Sequence, residues 1–363
     1  MANNSPSPPE TNDINDYREP NAFKGVSFSN FKKTDVRKEL LKSLAQSKIE
    51  PACYWSAELI CAGHYGDLWE IIMLFYSRCI HVGNPKMATY LELRLTQFKE
   101  IIRNGYAQRM LSMRNSSKIR RMFCEIMCVL CESNKKHSFD DIKIRKEEFD
   151  MTNMADRFKA PNVGFAESVF RKEDPRNLFI AVNEFAYNIS PDVRNSVGAC
   201  YWIEWIIEFE QVCRGRKEKC VCERRADMPV ESARQMDIVW IIWDILITHS
   251  QQNKIMNKIV MSLLTLFSLQ YTNACARRRK YILFCVVELL TASVSMDCEI
   301  VKEKNKVGLI MSKIDGMYKQ IKINEHSPNM DYLFHNVSAC NLEKTIAKLE
   351  QMDSFGETFV PRL

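Results

Sequence analysis

The tetrapeptide Ala-Cys-Tyr-Trp occurs twice in this chain, at residues 52–55 and again at residues 199–202. Cysteine and tryptophan are among the scarcest residues in proteins, so a chance recurrence in a chain of 363 residues is improbable. A sequence that recurs within one chain indicates that a structural unit has been duplicated, and such a repeat constrains the whole fold. The sequence therefore predicts two diverged units of related structure.

Three further pairs of segments recur in the same order around the tetrapeptide. The segments are 37–41, 67–72 and 120–126 in the first unit, and 176–179, 237–242 and 277–288 in the second. The last pair shares a basic start that runs into apolar residues at helical spacing. We predict helical repeats at residues 33–134 and 174–299, with an insertion at 213–236 that has no counterpart in the first repeat.

The low content of helix-breaking residues indicates the fold class. The chain has 11 Gly and 12 Pro against 46% hydrophobic residues, which favours long helices over many short strands. We predict an all-α protein of two tandem helical bundles. The longest apolar run, Ile238 to Ile247, contains Asp244 and is shorter than the roughly 20 apolar residues of a membrane span. It predicts a buried helix, and we expect no transmembrane segment.

The segments outside the two repeats differ from them in composition. Residues 1–32 begin with a Ser/Pro-rich stretch and remain polar, which predicts a disordered arm. The aromatic residues near the end of this arm could lie along a partner in extended form. Residues 135–173 are rich in charge and broken by Pro and Gly, and they predict a linker.

The second repeat is expected to open at Asp174, which would cap a helix whose first residue is Pro175. In the first repeat, Ser116 is the expected cap of the last helix. Residues 300–363 predict a C-terminal extension. Weaker helical patterns occur there around residues 307–321 and 341–352.

Fourteen cysteines raise the question of disulfides and metal sites. Most lie within apolar helical patterns and no signal peptide opens the chain, so we expect a reducing compartment. One helix face carries three of them among apolar residues, which predicts core packing: Cys124, Cys128 and Cys131. A polar, basic loop carries the three weak metal candidates: Cys213, Cys220 and Cys222. They lack a clear fourth ligand, so surface thiols are the alternative.

Two carboxylates on mostly apolar helices, Glu58 and Glu204, permit two interpretations. A general acid–base role needs a second group and a pocket, whereas a structural ion pair needs a basic helix nearby. No phosphate loop, dinucleotide fingerprint or nucleophile elbow is present. We therefore predict no catalytic residue, no enzyme activity and no cofactor. The predicted structural core includes Trp55, Trp69, Trp202, Trp205 and Trp240.

Three basic groups are the candidate partner-binding residues: Arg120 and Arg121; Arg214, Arg216 and Lys217; and Arg277, Arg278, Arg279 and Lys280. The first and third groups occupy equivalent places in the two repeats and could align into one stripe that neutralises phosphates. Cations at helix starts are unfavourable on dipole grounds, which favours a partner, either acidic side chains or nucleic acid. The formal charge of +6 is mild and does not by itself require nucleic acid.

Four segments of the chain carry a resemblance to a known group of proteins: 52–64, 83–86, 135–139 and 179–187. They resemble uncharacterised conserved proteins of nucleocytoplasmic large DNA viruses that infect algae and protists. The resemblance spans roughly residues 35 to 300 and carries over no active-site residues. It implies a protein made in the infected host cytoplasm, either packed in the virion or serving late gene expression.

The resemblance and the repeat together give a leading hypothesis and two competitors. The first is a non-enzymatic minor capsid protein that links neighbouring virion or capsid proteins through duplicated helical surfaces, with possible self-association. The second is a two-repeat helical nucleic-acid-binding or transcription factor that uses its basic helices on DNA. The third, an enzyme with Glu58 and Glu204 as carboxylates, has the least support in the sequence.

Overall fold

A computed structural model describes residues 13–105 and 109–326. Over these residues the chain is helical and contains no β-strand; its one β-bridge joins Val26 and Lys32. The α-helices are α1 (Lys33–Ala45), α2 (Ile49–Cys61), α3 (Tyr65–Phe75), α4 (Met87–Arg103), α5 (Met110–Arg114), α6 (Ser117–Glu132), α7 (Phe179–Ile189), α8 (Ser196–Gly215), α9 (Val239–Ser250), α10 (Lys254–Phe267), α11 (Asn273–Arg278), α12 (Lys280–Thr291) and α13 (Lys304–Lys322). The prediction of an all-α protein is confirmed.

Local sequence sets many of the helix ends. The Ser116 hydroxyl accepts a hydrogen bond from the backbone N–H of Ile119, which confirms the predicted cap of α6. The side chains of Asn195 and Asn253 accept from the first backbone N–H groups of α8 and α10 in the same way. After α2, Gly63 takes a positive φ of 77°, a conformation that costs a glycine little and ends the helix.

Helices α1–α6, the first run, and α7–α12, the second run, pack internally in a similar order. In each run the first helix lies along the second, and the second lies along the sixth. The fourth and fifth helices of each run also contact the sixth. The two runs meet chiefly where α4 packs against α10, and where α12 packs against the turns that follow α3.

The predicted disordered arm is wrong for residues 13–32, which pack on the first run. Ile14, Phe23 and Phe28 are fully buried. The Arg18 guanidinium lies over the Phe23 and Phe28 rings, 4.7 and 4.8 Å from their centroids. The few aromatic residues of this otherwise polar segment therefore bury enough apolar area to hold it against the helices. Residues 1–12 lie outside the described part of the chain.

The segment 135–173, predicted as a linker, lies against the helices along much of its length. The ring of Phe139 packs on Tyr281 and Phe284 of α12. Further on, the backbone carbonyl of Glu148 accepts a 2.7 Å hydrogen bond from the indole of Trp205. These contacts make the segment part of the core packing.

The predicted cap at Asp174 is wrong, because this carboxylate has a stronger partner elsewhere. Asp174 pairs with the buried Arg225 of the insertion, and a short 3₁₀ turn at Arg176–Leu178 leads into α7 instead. The basic group 277–280 also differs from the expected single helix, since α11 ends at Arg278 and α12 begins at Lys280. The residues at both places, Asp174 and Arg279, form long-range ion pairs that a local pattern does not contain.

At the C-terminal end, the pattern around residues 307–321 predicted a helix, and α13 confirms it. This helix packs on α2 and α6, so it covers the first run. The pattern at 341–352 lies outside the described residues.

Four of the five tryptophans that we assigned to the core are buried: Trp69, Trp202, Trp205 and Trp240. Trp55 is an exception to the prediction because its ring is partly exposed. It packs edge-on against Phe31, itself 44% exposed. The corresponding Trp202 is covered by Phe158, whose ring stacks on it at 6.2 Å.

Candidate interaction surface

The first basic group is split between the interior and the surface. Arg120 is buried at the start of α6, where its guanidinium donates to the Arg114 carbonyl at 3.0 Å and to the Asn115 side chain at 2.8 Å. The same group lies 4.2 Å from the centroid of the Tyr318 ring on α13. Arg121, its neighbour, is exposed. Arg120 therefore holds α13 in place and is not available to a partner, which corrects the prediction.

The third basic group joins the two helical runs. Arg279 is buried, and its Nε donates at 3.1 Å to the carboxylate of Glu70 on α3. Arg278 reaches the same carboxylate at 3.0 Å. Glu70 belongs to the first run and the two arginines to the second, so these bonds tie the runs together. Arg279 is thus also unavailable as a partner contact.

The other two cations of this group pair with carboxylates of α8. Arg277 lies 3.0 Å from Glu208, and Lys280 lies 2.8 Å from Glu204. Lys280 is mostly buried, whereas the side chain of Arg277 is largely exposed. With Arg120 and Arg279 turned inward, the predicted phosphate-binding stripe is interrupted in both groups.

The second basic group lies at the end of α8 and the start of the insertion. Arg214 pairs with Glu210, one helical turn earlier, at 2.8 Å. Arg216 and Lys217 are exposed just beyond the helix. Within the described residues, these two side chains and Arg121 are the members of the predicted set that are exposed and form no ion pair.

The carboxylates weighed as catalytic groups both have structural partners. The predicted ion pair of Glu204 with a basic helix is confirmed by its contact with Lys280. Burial raises the pKa of Glu204, and Lys280 opposes that shift. Glu58 is fully buried and accepts a 3.0 Å hydrogen bond from the backbone N–H of Ser29. The Tyr54 hydroxyl donates to it at 3.3 Å.

The weak metal candidates of the insertion are not assembled as a three-ligand site. Cys213 and Cys222 are buried and Cys220 is half-buried. The thiol of Cys222 donates to the Asp237 carbonyl at 3.3 Å. In the described residues, the group of three side chains whose ligand atoms lie close enough to hold an ion is a different one, formed by thiols of α2 and α6.

Exposed apolar side chains occur on both helices of the α4–α10 contact. Leu93 on α4 is 57% exposed and Met261 on α10 is 42% exposed. They flank the contact in which the Ser262 hydroxyl donates to Glu92 at 2.8 Å. Ile255, six residues earlier on a different side of α10, is also exposed. Leu93, Ile255 and Met261 are called the α4/α10 strip below.

A polar groove of about 770 Å³ lies beside this region, between α4, α5 and α6. Arg121 lines it together with the ion-paired Arg94 and Glu125. A more apolar groove of about 680 Å³ lies nearby and is lined by Trp69, Phe98 and other residues of α3 to α5.

Comparison with known proteins gave no match, whether to a protein-family model, to a curated protein or to a solved structure. In the part of the chain that the structure describes, no helix has the length and apolar character to cross a membrane. The fold and the geometry above are therefore the basis for the function proposed below.

The sequence identified the basic residues but not the carboxylates with which they pair. Glu70 lies inside the recurring segment 67–72, yet nothing local indicates that it receives two arginines from the second run. The α4/α10 strip was missed because isolated apolar residues on an amphipathic helix have the same pattern as core residues.

Proposed function

We propose that this chain is a non-enzymatic, structural protein of a large DNA virus particle, of the minor-capsid type. In this proposal it links neighbouring virion proteins through two related helical surfaces. The observation that carries the proposal is the joining of two similarly ordered helical runs by α4 and α10, with apolar side chains exposed at that junction. A lattice presents repeated surfaces to its components, and a duplicated binding protein matches them.

Several contacts support the duplication that this proposal includes. Ala52 and Ala199, which open the two tetrapeptides, stand at the fourth residue of α2 and of α8. Six positions after each alanine, Glu58 and Trp205 hydrogen-bond to the backbone of a segment that precedes the run. The two side chains differ, but each bonds its helix to the segment that leads into its own run.

The aromatic partners of the tetrapeptides support it as well. The ring of Phe31 packs on Trp55, and that of Phe158 packs on Trp202. Both phenylalanines lie in the segment that leads into a run. The difference in burial between the two tryptophans is then a divergence between two related sites.

The internal ion pairs favour a protein partner over nucleic acid. Arg120 and Arg279 are buried, and Arg277, Arg278 and Lys280 pair with carboxylates of the same chain. Counterion release at DNA needs cations that can reach phosphates, and these cannot do so without breaking their own bonds. The apolar character of the α4/α10 strip suits a protein interface core better than a phosphate backbone.

Quantitative mass spectrometry of purified virus particles tests the proposal. A minor capsid protein is expected in a fixed ratio to the major coat protein. Trace amounts that follow polymerase subunits would instead support the transcription hypothesis, and absence from the particle would overturn the capsid proposal.

A matched pair of variants tests the surface itself. The double variant Leu93→Glu, Met261→Glu should fold, because both side chains are exposed, but should not be incorporated into particles. Leu309→Glu is the control, since Leu309 is 56% exposed and lies on α13, which packs on α2 and α6. Equal incorporation of the two proteins would refute a role for the α4/α10 strip.

A further inference from the structure

Three cysteine thiols converge between α2 and α6. The Sγ atoms of Cys53, Cys124 and Cys128 all lie within 4.8 Å of one another, and those of Cys53 and Cys124 are 3.9 Å apart. Cys124 and Cys128 stand four residues apart, so they share one face of α6. Helix α2 packs along that face and brings the cysteine of the first tetrapeptide against them.

We propose that these three thiols form a binding site for a soft monovalent metal ion, copper(I). All three ligand atoms are sulfur, and thiolate sulfur selects soft ions such as copper(I) over magnesium, calcium or manganese. Structural zinc in proteins takes four ligands. In the described residues the group holds three, and a three-coordinate thiolate site is an ordinary geometry for copper(I).

The spacing of the sulfur atoms fits such an ion without rearrangement of the helices. Metal–sulfur bonds to thiolate of about 2.3 Å, arranged in a plane around one ion, place the sulfur atoms about 4.0 Å apart. The Cys53–Cys124 distance of 3.9 Å agrees with this value. Small side-chain rotations bring the third sulfur into the same triangle, because all the separations are already below 4.8 Å.

The cluster is buried, which suits an ion that must be kept from water and oxidants. The three residues are at most 2% exposed. Helix α13 packs on both α2 and α6, so it lies over the pair of helices that carries the thiols.

Metal binding also accounts for the protons of the cluster. A copper(I) ion that binds the three sulfurs displaces the protons that the thiols carry, and these protons go to solvent.

The second run supplies a matched comparison within the same chain. Cys200 and Cys285 stand at the positions that correspond to Cys53 and Cys124, and both are buried. Leu289 stands where the first run has Cys128. The second run therefore has two thiols of the set but not the third, and it should not hold the ion.

Copper(I) titration of the reduced full chain tests the site. Copper(I) supplied as its acetonitrile complex competes with the chromogenic chelator bathocuproine disulfonate, and one equivalent should stay on the protein. Cys128→Ala should lose more affinity than the roughly 10- to 100-fold that removal of an outer-shell partner costs, since it removes a direct ligand. Cys285→Ala, the control, should bind as the wild type does. Equal binding by both variants, or no retained copper, would overturn the proposal.

A measurement on the wild type keeps the test decisive if a variant fails to fold. X-ray absorption at the copper edge should find three sulfur neighbours at about 2.3 Å. Nitrogen or oxygen neighbours would place the ion elsewhere and reject the site. Retention of zinc in preference to copper(I) would reject the assignment of the ion.

Discussion

Arg225 and Asp174 form a buried two-pronged ion pair across 51 residues of sequence, with Nη1 and Nη2 of the arginine 2.5 and 2.6 Å from the two carboxylate oxygens. The Nε of Arg225 reaches Asp244 of α9 at 2.9 Å. This arginine belongs to the insertion between α8 and α9. It fixes the insertion against the start of the second run, so the extra residues are part of the fold rather than a free loop.

Replacement of Arg225 by Met should destabilise the protein by about 3 to 5 kcal/mol, because it leaves a buried carboxylate without its partner. Urea unfolding followed by circular dichroism measures the change. Arg224→Met is the control, since Arg224 is exposed and bonds to Gln235 and Ser232 near the surface. Its cost should be below about 1 kcal/mol. Similar losses in free energy of unfolding for the two variants would show that the buried ion pair contributes no more to stability than the surface hydrogen bonds of Arg224.

The two tryptophans of the repeated tetrapeptide should differ in their contribution to stability. Trp202 is 2% exposed, and Trp202→Ala should cost about 3 to 5 kcal/mol. Trp55 is partly exposed, so Trp55→Ala removes less buried area and should cost less. Thermal or urea unfolding of both variants measures this. Equal effects would contradict the burial difference between the two sites.

Two arginines from the basic groups should differ in their contribution to stability. Arg279→Ala leaves Glu70 with only the half-exposed Arg278 and leaves the Phe267 carbonyl without its donor, so it should cost of order 3 kcal/mol. Arg121→Ala removes an exposed side chain and should change the free energy of unfolding by less than about 0.5 kcal/mol. Urea unfolding curves of both variants measure the two changes. An Arg279→Ala variant as stable as the wild type would argue against the ion pair as a link between the runs.

Four arginines of the basic groups give a prediction for DNA binding. If Arg120, Arg121, Arg278 and Arg279 neutralised four phosphates, the logarithm of the affinity would fall against that of salt with a slope of about −3.6. We expect no such binding, because two of the four are buried. Fluorescence anisotropy with duplex DNA at several salt concentrations makes the measurement. Sub-micromolar binding at physiological salt, lost on substitution of these residues, would favour the transcription hypothesis.

Glu210 should make stability depend on pH in a defined direction. Burial raises its pKa, and Arg214, one turn away, only partly opposes this. The unfolded chain therefore loses the proton first as pH rises, so stability falls between the ordinary glutamate pKa of 4.5 and the higher folded value. Glutamine does not titrate, so Glu210→Gln should not lose stability in this way. The stability of the variant relative to the wild type should therefore rise between pH 4.5 and the folded pKa of Glu210. Parallel pH profiles of the two proteins would contradict the shift.

The sequence by itself determined the helical class, the cap of α6 at Ser116 and the burial of most core tryptophans. These features depend on residues close together in the chain or on a single strong preference. A helical pattern repeats every 3.6 residues, and an N-cap needs only a hydroxyl at the right place, so both can be recognised without the fold.

Only the tertiary structure decided which distant groups meet. It placed Arg279 on Glu70, Arg225 on Asp174, and Cys53 beside Cys124 and Cys128. Residues 13–32 are a further example. Their polar composition predicts disorder, but their few aromatic rings pack against the first run. The physical reason is the same in each case: burial turns a weak contact in water into a strong one, and a local pattern carries no information about what will be buried against it.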